Sequence, residues 1–296
     1  MAAKPRPTVR RIELGHELRQ LREQAKLTLE QVSDSDRVKG MYFAKLQKVE
    51  KGTQTLRSAQ ELKDLLSLYG VDDEDQVEQL LRIQREGASQ DWWSPYESKM
   101  PSGMPRFVGI EAASYETWAF HPTLVLGLFQ TEEYARALHV LAQPIEETTS
   151  EAIDRNIKVR MGRKEAISRS DEPLVLRAVL WEPALRNLIG DRQTMREQYD
   201  ELARLAALPN VQLQILPILP AKFRGNPPTH NFQVLHLRDG LPTSVQVDTP
   251  WSTTAVSDKP REVGKFTRNF NSLTAAALPP EDTPGFLQDL SREIPT

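Results

Sequence analysis

Leu14, Leu18, Leu21 and Ala25 recur at spacings of 4, 3 and 4, the stripe of an amphipathic helix. Thr28 stands where the next helix would be capped, with Gln31 three residues on to complete a capping box. Tyr42, Leu46 and Val49 make a third short stripe that Gly52 closes. Ala59, Leu62, Leu65, Leu66 and Tyr69 make a fourth, stopped by Gly70, and Val77, Leu80 and Leu81 a fifth. Five short helices in so few residues predict a compact all-α head over 8–86.

The stretch "EGASQDWWSPYESKMPSGMP" is rich in Gly, Ser and Pro and reads as a linker, 87–105. Its adjacent Trp92 and Trp93 are expected to dock it onto a domain, close to Trp118–Tyr134, rather than stand in solvent. Beyond it the texture changes. Helical patterns at 131–141, 151–168 and 194–207 alternate with "VQLQILPI", "NFQVLHL" and "SVQVD", in which apolar and polar residues alternate with period two. The expectation is a two-domain α+β chain: the five-helix head, then a mixed α+β body over 106–296 that ends in helices.

Composition narrows the chemistry. The chain has no cysteine, which excludes disulfides, thiolate zinc sites and a cysteine nucleophile. Apolar runs such as 124–129 are far too short to span a bilayer. No apolar run follows the basic residues of "MAAKPRPTVRR", so a cytoplasmic protein is expected. Net charge is only −3, but residues 1–70 hold 14 Lys and Arg against 9 Asp and Glu, an excess of +5 that leaves −8 for the rest. A polyanion would therefore meet the head.

On a helical wheel over 42–51, Tyr42, Leu46 and Val49 face inward, while Ala44, Gln47, Lys48 and Lys51 face the other way with Phe43 at the flank. Such a face suits a major groove. Gln pairs with adenine, Ala and Phe meet a thymine methyl, and Lys neutralises phosphates. The solvated face of an ordinary bundle helix also carries Lys and Gln, so the pattern by itself leaves both readings open.

The segments "LGHELRQLREQAKLT" and "KLQKVEKG" resemble the Xre-type, phage-repressor-like helix-turn-helix. Leu18, Arg19, Leu21, Arg22, Thr28, Leu46, Val49, Glu50 and Gly52 fall on that family's positions. The resemblance implies a structural pair between Arg22 and Glu50, and a dimer acting on paired DNA half-sites. Further along, "YETWAFHPTLVLGLFQTEEYARAL", "DRNIKVRMGRKEAI", "LPNVQLQILP" and "FQVLHLRDGLPTSVQVDTP" resemble the companion domain that follows this motif in many actinobacterial regulators. That domain is antitoxin-like, without settled chemistry, and often travels with a small partner protein.

The chain also departs from the pattern. From Ser33 to the turn glycine, Gly40, it runs three residues longer than the usual motif, within "SDSDRVKG", which either lengthens the second helix or loosens the turn. Leu29 stands where a phosphate-contacting Gln is common, and Ala44 and Gln47 where Ser is usual. The resulting assignment gives base contacts to Phe43, Ala44 and Gln47, and phosphate contacts to Thr28, Arg37, Lys39, Lys45, Lys48 and Lys51.

Enzyme readings find less support. Glu13 and His16 form a lone Glu-x-x-His, whereas a di-metal bundle needs two such pairs. His230 and His236 share one side of a strand-like run but lack clustered acidic ligands. No nucleophile elbow, phosphate-cradling Gly-Lys-Ser/Thr loop or dinucleotide glycine motif is present. The expectation is a DNA-binding transcriptional regulator with no catalytic residues, cofactor or metal. Its partners are double-stranded DNA, a second copy of itself, and an effector or small protein on the body. The alternative is an antitoxin-like interaction module whose head has lost sequence-specific DNA binding.

Overall fold

The computed structural model describes residues 7–89, 91–146, 148–219, 229–249 and 253–294. The chain divides into two units, residues 1–95 with 239–241, and residues 96–238 with 242–296.

The first unit holds the five expected helices: α1 (Pro7–Gln24), α2 (Leu29–Ser33), α3 (Phe43–Glu50), α4 (Ala59–Leu68) and α5 (Glu74–Gly87). Their ends follow local chemistry. Thr28 and Gln31 form the reciprocal capping box, Ser58 accepts the Glu61 N–H, and Asp73 accepts the Gln76 N–H. Gly52 and Gly70 adopt left-handed backbone at φ 66° and 78°. There the Thr53 and Val71 N–H groups close back on the Lys48 and Leu66 carbonyls, which stops α3 and α4. Leu18, Val32, Leu46, Leu62 and Leu65 are fully buried at the centre.

The bundle does not lead straight into a free linker. Thr8 and Arg11 on α1 both bond Asp91, and Arg11 also donates to the Gly87 carbonyl. Trp93 is buried, its ring edge-on to that of the half-exposed Trp92. A 3-10 turn over Ser94–Lys99 follows.

The second unit opens with α6 (Met104–Ala113) and β1 (Glu116–His121), followed by a 3-10 turn at Gly127–Phe129. Then come α7 (Glu132–Glu146), α8 (Ser150–Ser168), β2 (Val175–Trp181), α9 (Glu182–Arg186), α10 (Arg192–Ala206) and β3 (Val211–Leu216). The chain continues through β4 (Phe232–His236), β5 (Ser244–Asp248), β6 (Thr254–Ser257), α11 (Pro260–Ala276) and α12 (Thr283–Glu293). The six strands form one sheet in the order β3-β2-β1-β4-β5-β6. β1, β2 and β3 run parallel, while β4, β5 and β6 join antiparallel. Period-two alternation splits the strands between two cores. Ala119, Leu176, Ala178, Leu213 and Ile215 face Tyr134 of α7, Tyr199 and Leu202 of α10 and Leu287 of α12. Phe120, Val179, Leu216, Phe232 and Val234 face Phe270 and Leu273 of α11.

β1 and β2 carry no strand expectation from sequence, because both lie mid-sheet and are covered on both faces. β2 in particular, "VLRAVLW", shows a nearly continuous apolar run rather than alternation.

Candidate functional site

The head builds its candidate DNA surface from the inside outward. Arg22, near the end of α1, holds Glu50 at the end of α3 in a two-pronged ion pair, Nε–Oε1 2.6 Å and Nη2–Oε2 2.8 Å. Its third nitrogen donates to the Leu27 carbonyl at 2.9 Å, so one guanidinium ties α1, the turn before α2 and α3 together. The hydrogen bonds to Glu50 hold the Arg22 pKa above its usual value. Burial, with the Glu50 charge adding to it, pushes the Tyr69 hydroxyl above the ordinary phenol range. The Arg22–Glu50 pair implied by the family resemblance is present. A second contact fixes the same crossing: a Cβ built on Gly15 of α1 would stand 2.4 Å from the Val49 carbonyl oxygen. Only glycine lets the two backbones meet there.

The extra residues between α2 and α3 enlarge the turn rather than the helix, since α2 stops at Ser33. Two successive turns close with Val38 N–H on the Ser35 carbonyl and Met41 N–H on the Val38 carbonyl. Val38 and Met41 drop their side chains into the core, which anchors the turn at both ends. Arg37 and Lys39, on either side of Val38, are exposed.

Along α3, Ala44, Lys48 and Lys51 are exposed and Gln47 is half-buried. They stand at i, i+3, i+4 and i+7, one stripe of the helix. Phe43 is 38% exposed at its start. Thr28 is exposed too, its hydroxyl oxygen accepting the Gln31 N–H at 3.2 Å.

Two sequence expectations need correction. Lys45, expected on phosphate, is only 2% exposed, and its Nζ lies 2.7 Å from Glu61 Oε1 on α4. Its ammonium is committed inside the head. Tyr42, expected to face inward, is 58% exposed. It is the N-cap of α3, with extended backbone (ψ 157°), so its side chain leaves the helical register and Met41 fills the inward place. The signal was Gly40, whose φ of 79° resets the chain two residues before the N-cap.

The residues weighed for metals have other partners. Glu13 accepts from Arg10 and His16 lies 2.8 Å from Gln20. His230 packs edge-on to Phe266, whereas His236 packs against Trp118. Among the described residues, no helix is long and apolar enough to cross a membrane.

Comparison with known families agrees with this division. Residues 13–80, from within α1 to within α5, match a helix-turn-helix domain, which points to a DNA-binding regulator. Nothing among the curated proteins or the solved structures matches the chain. Residues 104–289, beginning at the first residue of α6 and reaching into α12, match a domain of unknown function, DUF5753. That match spans well over half of the 296 residues, and the chain belongs to the DUF5753 family, with a helix-turn-helix domain preceding its family domain.

Proposed function

We propose that the protein is a sequence-specific, Xre-type transcriptional regulator. It acts in the cytoplasm as a homodimer on paired half-sites, and its second unit binds an effector or a small partner protein. The observation that carries this reading is the open stripe of α3, held from behind by Arg22 and Glu50. In this reading α3 enters the major groove. Tyr42, Phe43, Ala44 and Gln47 reach base edges, while Thr28, Arg37, Lys39, Lys48 and Lys51 meet phosphates. The enlarged turn keeps Arg37 and Lys39 exposed and leaves the α3 stripe uncovered, as this reading requires.

Lys48→Ala with Lys51→Ala is expected to weaken binding to all duplexes alike. Each lost phosphate contact removes about 0.9 from the slope of log affinity against log salt, so the slope should flatten by roughly 2. Mobility-shift titrations at several salt concentrations measure it; an unchanged slope would place the DNA on another face.

Gln47→Ala should act differently. It should relax preference at one or two base pairs, each discriminated by about 1–3 kcal/mol in the parent, with little change in non-specific affinity. Selection of bound sequences from a random pool tests this, and identical consensus sequences for both proteins would remove Gln47 from the reading surface.

A further inference from the structure

The second unit holds a guanidinium that makes no ion pair among the described residues. Arg160, midway along α8 and largely shielded from solvent, donates to Gln130 Oε1 just after the Gly127–Phe129 turn. Gln130 is itself buried, and its Nε2 donates to the Val125 carbonyl at 2.7 Å. That neutral amide is the hydrogen-bond partner Arg160 has among the described residues. Among the described residues, no carboxylate lies within ion-pair distance of it.

Two acids of this region are held by other cations. Glu111 is held two-pronged by Arg163 at 2.6 and 2.8 Å. Glu201 takes Lys164 at 2.6 Å and Arg204 at 2.6 and 2.8 Å. Asp248, exposed at the end of β5, accepts from the neutral side chains of Asn231, Gln246 and Thr254, and its charge partly offsets that of Arg160 from beyond ion-pair distance. A shielded charge without a counterion is costly, and proteins ordinarily avoid it. Burial, with the Arg163 charge adding to it and Asp248 opposing, pulls the Arg160 pKa down to about 10.

The groups that sense the Arg160 charge have hydrogen-bond donors to offer. His121, at the carboxyl end of β1, accepts the Leu124 N–H on Nδ1 at 3.1 Å, which in the neutral ring places the proton on Nε2. Tyr134 accepts the Val125 N–H at 3.3 Å and keeps its own O–H to donate. His139 on α7 has a buried Nε2 without a partner. The cluster stands where the chain leaves the parallel half of the sheet. There the carboxyl end of β1 lies beside the carboxyl end of the parallel β2 and the amino end of the antiparallel β4.

We propose that the second unit binds a small-molecule oxyanion, a carboxylate or a phosphate, on the free edge of the Arg160 guanidinium, with His121 as a further donor. This deepens the effector-binding reading of that unit and rests on it. A planar guanidinium whose remaining N–H groups meet no acceptor among the described residues matches either oxyanion in two-pronged fashion.

Thermal unfolding of the full chain tests it, with sodium phosphate and sodium acetate titrated separately against sodium chloride at matched ionic strength. One of the two oxyanions should give a saturable rise in Tm beyond chloride, and which one does so identifies the headgroup. Arg160→Met should weaken that response at least tenfold in midpoint concentration and leave stability in chloride equal or higher, because it removes an unmatched charge. Arg204→Ala, on the exposed ion pair with Glu201, should keep the response. The site is refuted if neither oxyanion exceeds chloride or if Arg160→Met responds as the parent does. It is equally refuted if Arg160→Met loses stability in chloride, which would make Arg160 a structural residue. DNA affinity measured on the same samples separates the two readings. Absent oxyanion binding with intact DNA binding overturns this site alone, and intact oxyanion binding without DNA binding overturns the regulator alone.

Discussion

Glu50→Ala is expected to destabilise the first unit by about 3–5 kcal/mol, the range for breaking a buried ion pair from one side. The loss comes less from the attraction removed than from the guanidinium left behind. Arg22 keeps the Leu27 carbonyl and a long contact to the exposed Glu23 at 3.9 Å, in a site whose side-chain exposure is 10%. Small domains have only about 5–15 kcal/mol in total, so the head should unfold early and DNA binding should fall with it. Urea unfolding of the full chain, followed by far-ultraviolet circular dichroism, should show the head's transition moving while that of the second unit stays. Removing both charges together, Arg22→Met with Glu50→Leu, should recover most of the stability, since an apolar pair of similar volume leaves no buried charge unpaired. If Glu50→Ala unfolds with the parent, the pair is not what holds α3 in place.

How far this architecture can be read from sequence depends on how local its causes are. The Thr28–Gln31 box and the glycines at 52 and 70 are decided within a few residues, so the ends of α2, α3 and α4 were legible. Inward and outward places on α3 were less so. Lys45 looks like a surface cation until Glu61 is brought to it from another helix. Tyr42 fits the inward stripe until the N-cap takes it out of register. In the second unit, β3, β4 and β5 announce themselves by alternation, whereas β2 does not because both of its faces are covered. The Arg160 cluster was illegible for a related reason. Gln130 lies 30 residues from Arg160, and Glu111 lies 52 from Arg163, so nothing in the 151–168 pattern separates the matched guanidinium from the unmatched one.

The second unit should also lose stability as pH falls from about 6.5 toward 4. Burial holds the pKa of His121 down at about 4, with Asp248 opposing and the Arg160 charge reinforcing the effect of burial. Burial and then Arg160 bring His139 to about 4 as well. An unfolded histidine titrates near 6.5, so between these values the unfolded chain binds protons that the folded chain refuses. Stability is therefore fully present above about 6.5 and declines through the window. Each pH unit between the folded and unfolded values is worth about 1.4 kcal/mol, so the loss by pH 4 reaches up to about 3 kcal/mol for each ring, an upper figure because both are partly solvated. Carboxylates held low by their partners, such as Asp191 and Glu201, release their contribution mainly below this range. Urea midpoints at pH 7, 6, 5 and 4.5, taken in chloride so that no oxyanion offsets Arg160, should fall steadily for the parent. His121→Gln with His139→Gln should flatten most of that decline, because glutamine keeps a donor and an acceptor but takes up no proton. Equal slopes in the two proteins would mean that both rings titrate normally in the folded state, and that the field around Arg160 is already neutralised.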